Sequence, residues 1–184
     1  MAYHSQGANP MNDNFDLSKL KKTEKKRINS RTKGNTFERK VAEMLNERFK
    51  TTDFCRSPGS GAFATTHKLP EHLQVYGDLI TPKNFKFIIE CKKGYNKEGL
   101  ESVFNPNSIL NEMIAQAARD SNKANRFFLL IIAQDRKDPI VFTNKYCPSM
   151  ESHWFISMHR TILESYYAMD LKEFLTFDDS FFFN

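Results

Sequence analysis

The sequence predicts one α/β domain, a central mixed β-sheet flanked by helices. Two segments carry apolar residues at helical spacing, and the segments around them carry short apolar runs bounded by turn residues. Their order is α, β, β, β, α, β, β, with no internal repeat.

A first helix is expected from Asn35. Asn35 is a good N-cap, Glu38 follows at the capping-box spacing, and Phe37, Val41, Met44, Leu45 and Phe49 form one stripe. Phe54-Cys55-Arg56 reads as a short strand entering the loop Ser57-Pro58-Gly59-Ser60-Gly61, which continues to about Gln74. Val75 to Ile80 and Phe85 to Lys92 read as two strands of a hairpin around the turn Thr81-Pro82-Lys83-Asn84. A second helix is expected over about Ser108–Lys123, with Ile109, Leu110, Met113, Ile114 and Ala117 facing inward. Phe127 to Ala133 is a continuous apolar run, which suits a strand covered on both faces, and Ile140–Thr143 pairs with it across Asp138-Pro139. Beyond His153 the pattern weakens. Trp154–Met158 suits an edge strand and Asp170–Leu175 a short helix.

At 184 residues the chain suits one domain plus a tail. No apolar run has the length of a membrane span and the start has no signal-peptide pattern, so an intracellular, cytoplasmic protein is expected. Three widely spaced cysteines, Cys55, Cys91 and Cys147, exclude a disulfide framework or zinc knuckle, and Cys91 reads as a small buried hydrophobe. Residues 1–34 hold eight Lys or Arg against three Asp or Glu, which accounts for the whole net charge of +5. Residues 1–33 therefore read as a disordered basic arm and 34–184 as the folded domain. The arm suits nucleic-acid phosphate, with a merely solubilising tail as the alternative.

The chemistry concentrates between Gly77 and Lys92. Along a strand Glu90 and Lys92 share one face while Cys91 points to the other, and a hairpin can bring Asp78 beside them. Two carboxylates and an amine at one end of a sheet suit metal-dependent phosphodiester hydrolysis. Hard oxygen ligands hold a divalent cation, which acidifies a water, and the amine orients it. A charged strand end with no catalytic role is the plain alternative.

Taken in order, Lys33-Gly34-Asn35-Thr36-Phe37-Glu38, Arg56 to Gly61, Gly77-Asp78, Ile89-Glu90-Cys91-Lys92-Lys93 and Gln116-Ala117 resemble the PD-(D/E)xK nuclease superfamily. Within it the chain is most similar to archaeal-type Holliday-junction resolvases and their phage-encoded relatives, over roughly residues 33–143. The resemblance implies a restriction-endonuclease-like core. It makes Asp78 and Glu90, with the Cys91 backbone carbonyl and Glu38, ligands of Mg²⁺ or Mn²⁺. Lys92 would position the water, and Gln116 would stand near the site. Arg56, Ser57 and Ser60 would contact DNA, joined by Arg31, Lys33 and Lys93. Glu38 is equally explained as a helix cap, Gln116 as a helix-edge polar residue, and Gly59-Ser60-Gly61 as a flexible loop.

Gly77 stands where the superfamily has its proline, a variant expected to matter little to the carboxylate. Asp120 stands where a processive exonuclease branch has tyrosine. The resemblance also implies a homodimer acting on four-way junctions by paired nicks, in the host cell of a phage. An endonuclease of restriction or mobile-element type on duplex DNA, and a non-catalytic DNA-binding module, are the alternatives. The histidines His67, His72, His153 and His159 lack zinc spacing. The ending Phe177 to Phe183 is expected to fold onto the core, the alternative being a peptide that docks on a partner.

Overall fold

The computed structural model of the 184-residue chain describes residues 29–58, 76–147, 165–184 and the backbone of 154–157. Helix α1 spans Ser30–Phe49. Its cap is Asn29, whose side chain accepts the Arg31 N–H at 3.1 Å. The helix thus begins more than a turn before the expected Asn35, because Asn29 already supplies the capping oxygen and Gly34 is tolerated inside. Asn35 and Glu38 lie within the helix and form no capping box. Residues 30–33, expected in the arm, are its first turn; the arm's residues 1–28 lie outside the described residues.

Strands β1 (Cys55–Arg56) and β2 (Leu79–Ile80) form a small antiparallel pair. The main sheet holds β3 (Phe87–Lys93), β4 (Phe127–Ala133), β5 (Ile140–Thr143), β6 (Trp154–Ser157) and β7 (Ser165–Asp170), in the order β3-β4-β5-β7-β6. Strands β3 and β4 are parallel, Glu90 opposite Leu130, and the remaining pairs are antiparallel. Helix α2 (Ile109–Ala124) makes the crossover between the parallel strands, capped by Ser108, whose hydroxyl accepts the Asn111 N–H at 3.2 Å.

The expected hairpin does not form as a ladder. Strand β2 pairs with β1, and β3 stands at the sheet edge. Strand β7 was not foreseen: Ser165-Tyr166-Tyr167-Ala168-Met169-Asp170 has weak strand propensity, and its place between β5 and β6 makes it a strand. The other expected elements, β4, β5, the β6 edge strand and the short helix α3 (Leu171–Phe174), stand where the pattern put them.

Period-two alternation divides the core. Phe87, Ile89, Cys91, Leu129 and Ile131 face α1, while Ile88, Phe128, Leu130 and Ile132 face α2. The α1 side is completed by α3 and by α4 (Asp179–Phe182). Phe85, Phe87, Phe174 and Phe182 are all 1% exposed or less. Arg48 of α1 donates to the Leu175 and Phe177 carbonyls at 2.7 and 2.9 Å, and the Phe182 carbonyl accepts the Lys86 N–H at 2.8 Å. The chain's aromatic ending is therefore core, and the docking-peptide alternative fails: the rings that would dock are already buried. Among the described residues no helix is long and apolar enough to cross a membrane.

Candidate active site at the sheet edge

The edge of β3 is closed by one residue rather than a strand. Asp78 donates its N–H to the Ile89 carbonyl at 2.7 Å, and its Oδ2 accepts the Cys91 N–H at 2.8 Å. Gly77 makes this approach possible. Its φ is +83°, and a Cβ there would lie 2.5 Å from the Ile89 carbonyl oxygen. Proline, with φ held near −65°, cannot take this conformation. The glycine is thus required by the local path of the chain, which the expectation of a minor variant overlooked.

Ser57 supports the same turn from behind. Its N–H donates to the Asp78 carbonyl at 2.9 Å and its hydroxyl to the Gly77 carbonyl at 3.2 Å. Ser57 is buried, and both its N–H and its hydroxyl are engaged by this turn.

Glu90 lies on the α2 face of β3, and Lys92 Nζ donates to its Oε2 at 3.1 Å. Both Asp78 and Glu90 are buried. Burial, then the Asp78 charge, pushes the Glu90 carboxyl up to about 7 against the opposing pull of Lys92. Asp120 on α2 adds to the rise. Burial pulls the Lys92 ammonium down, but the Glu90 and Asp78 carboxylates outweigh it and hold its pKa above the ordinary value. Burial and the charges of Asp78 and Glu38 drive the Cys91 thiol up, so it stays neutral, the buried hydrophobe expected.

Two buried carboxylates beside one ammonium form an oxygen donor set with excess negative charge. A divalent cation suits such a set. Among the described residues, however, no three His, Cys, Asp or Glu side chains lie close enough to hold a metal ion together. Glu38 accounts for the difference from expectation. It is buried on α1, where its carboxylate is ion-paired to Arg56 Nε, and Arg56 Nη2 donates to Asn35 Oδ1 at 2.9 Å. The structure thus brings Asp78, Glu90 and Lys92 together and makes Glu38 the partner of Arg56 rather than a third carboxylate on the same point.

The other expected residues divide. Gln116 is exposed and lines a cleft of about 480 Å³ with Lys92, Tyr95, Glu112 and Arg119. Arg31 and Lys33 are exposed on the first turn of α1, and Lys93 donates to the Gln134 carbonyl at 3.0 Å while pairing with Asp135 at 3.3 Å. Ser60, His67, His72, His153 and His159 lie outside the described residues. Sequence reasoning missed Asn35 as the second anchor of Arg56 and Asp120 as a charge on Glu90. The second had a signal: Asp120 follows Gln116 by one helical turn, on the same face.

A family model described as "Phage putative PDDEXK endonuclease" matches residues 29–182, which includes every described element. No curated protein and no solved structure matches the chain.

Proposed function

The chain belongs to this phage PDDEXK endonuclease family, and from its site we propose a DNA endonuclease that depends on a divalent metal, Mg²⁺ or Mn²⁺. The observation that carries the reading is the convergence of Asp78, Glu90 and Lys92 at one edge of the sheet. Asp78 and Glu90, with the carbonyl of Cys91, the residue after Glu90, would hold the cation. When bound, such an ion supplies Lewis-acid stabilisation of the phosphoryl oxygens and a water of lowered pKa.

The chain's own residues do the rest. The Cys91 and Ile89 backbone groups fix Asp78, so one carboxylate is set before substrate arrives. Lys92, already a donor to Glu90, presents an ammonium where negative charge develops. Gln116 and Arg119, in the cleft beside Lys92, offer donors to the DNA strand, and Arg31 and Lys33 offer charge on the exposed start of α1. Arg56 serves by orienting Glu38 and the β1 strand beside the site.

The finer substrate proposed is a four-way junction, cut by paired nicks from a homodimer. Its support is the resemblance to junction resolvases and the absence, among the described residues, of any element outside the core that could read base edges. Cleavage of labelled four-way junction, matched duplex and single strand in Mg²⁺, with Asp78→Asn alongside, tests both levels. Paired nicks confined to the junction uphold the full reading. Duplex cutting that Asp78→Asn abolishes retains the metal-dependent endonuclease and discards the junction. Undiminished cutting by Asp78→Asn defeats the site.

A further inference from the structure

The end of the sheet opposite Glu90 carries a second concentration of charge. Lys83 and Lys86 precede β3, Arg126 precedes β4 and Lys145 follows β5, so the topology gathers four cations at this one end. With Asn125 and Asn144 they line a cleft of about 510 Å³ that no aspartate or glutamate side chain lines. Six residues of strand separate Lys86 from Lys92, roughly 20 Å at the usual rise.

Three of these cations are held by neutral groups. Lys86 donates to the Ser180 carbonyl at 2.8 Å, and Arg126 to the Thr81 hydroxyl at 3.0 Å. Lys145 Nζ lies 4.7 Å and 5.0 Å from the ring centroids of Phe127 and Phe181. Among the described residues none of the four is in an ion pair, whereas Lys93, Lys123 and Lys172 each have an aspartate within 3.3 Å. Burial first, and then the charge of Lys86, holds Lys145 below the ordinary lysine range. Asn144 gives its side-chain oxygen to the Phe128 N–H at 3.0 Å, which leaves its amide donors for a ligand. Donors and cations with no aspartate or glutamate among them complement an anion of extended shape.

We propose that this cleft is a second DNA-phosphate site, which grips the nucleic acid away from the bond that is cut. The ligand class rests on the nuclease reading. The separation of roughly 20 Å corresponds to about six nucleotides along one strand, so a single duplex or junction arm reaches both ends of the sheet. The cleft adds affinity and orientation without touching the reacting atoms.

Binding of the full chain in EDTA to a labelled duplex of about 30 base pairs, across a salt series, tests the proposal. In Lys83→Gln/Lys145→Gln the affinity at about 0.1 M salt should fall roughly tenfold, and the slope of log K against log salt should lessen by about 2. Lys83→Gln alone changes an exposed side chain with no ion pair to lose. It should lessen the slope by about 1 and leave the melting temperature unchanged, which separates lost contacts from lost folding. Unchanged isotherms and slopes in both variants would overturn the site. So would unchanged DNA binding combined with a melting temperature that inorganic phosphate raises in the native chain only, which would assign the cleft to a small anion. A failure of the catalytic reading registers elsewhere, as continued cutting by Asp78→Asn, and leaves these EDTA isotherms valid.

Discussion

Asp78 is hydrogen-bonded through its side chain to the backbone of Cys91, at 2.8 Å, so the first carboxylate of the site is fastened to the strand that carries the second. The two acids cannot drift apart without breaking a buried bond. Their spacing is therefore a property of β3 and of the turn at Gly77, and each can be tested separately.

The turn is tested by Gly77→Ala and Gly77→Pro. With φ at +83° and the Ile89 carbonyl oxygen 2.5 Å from a new Cβ, alanine should cost about 2 kcal/mol or more. Proline, although it restores the superfamily's usual residue, should be worse and should abolish cleavage. Thermal melts and cleavage assays check both, and native activity in the Gly77→Pro variant would show that Asp78 does not depend on this turn.

Glu90 predicts a pH dependence. Its folded pKa of about 7 lies above the ordinary 4.5, so the folded chain binds the proton more tightly than the unfolded one. Without metal, stability should fall as pH rises from about 4.5 through 7, by on the order of 3 kcal/mol in all. Glu90→Gln should remove that loss, melting higher than the native chain in EDTA above neutrality and near it at about pH 4. Mg²⁺ or Mn²⁺ should raise the native melting temperature at about pH 8 and not that of the variant. Parallel pH profiles for the two chains would contradict the buried pair.

For Lys92→Ala, cleavage should fall by about a hundredfold or more, the scale of losing a preorganised charge stabiliser. Affinity for DNA should stay near native, because one ammonium bonded to Glu90 is a small part of the phosphate-contacting charge. Equal losses in binding and turnover would make Lys92 a docking residue instead.

The chain's ending should be indispensable to folding. Phe182 is fully buried among Phe85, Phe87 and Phe174, and Phe182→Ala should cost about 3–5 kcal/mol. Deletion of residues 177–184 should leave no cooperative melt by calorimetry. A truncated chain that melts cooperatively would return the segment to the surface.

Removal of residues 1–28 stops short of the Asn29 cap and should leave α1 and the melting temperature intact. If the basic arm contacts phosphate, DNA affinity and the steepness of its salt dependence should both decline; an unchanged salt slope would exclude the arm from binding.

Much of this was legible along the chain. The continuous run Phe127 to Ala133 best suited a covered strand, and the apolar stripe located α2 within a residue of Ser108, although Ile109, expected to face inward, is exposed. Period two was enough to set Glu90 and Lys92 on one face and the Cys91 thiol on the other. These features depend on side chains near one another in sequence, where spacing translates directly into geometry.

Other features depended on contacts across the fold. Asp78 meets β3 by a glycine-permitted approach instead of a hairpin ladder, Glu38 turns to Arg56 instead of capping its helix, and Ser165–Asp170 becomes a strand because β5 and β6 flank it. Local preference at each of these positions is weak or points elsewhere. Burial decides them, since a buried carboxylate or backbone group must find its partner wherever the packed chain brings one.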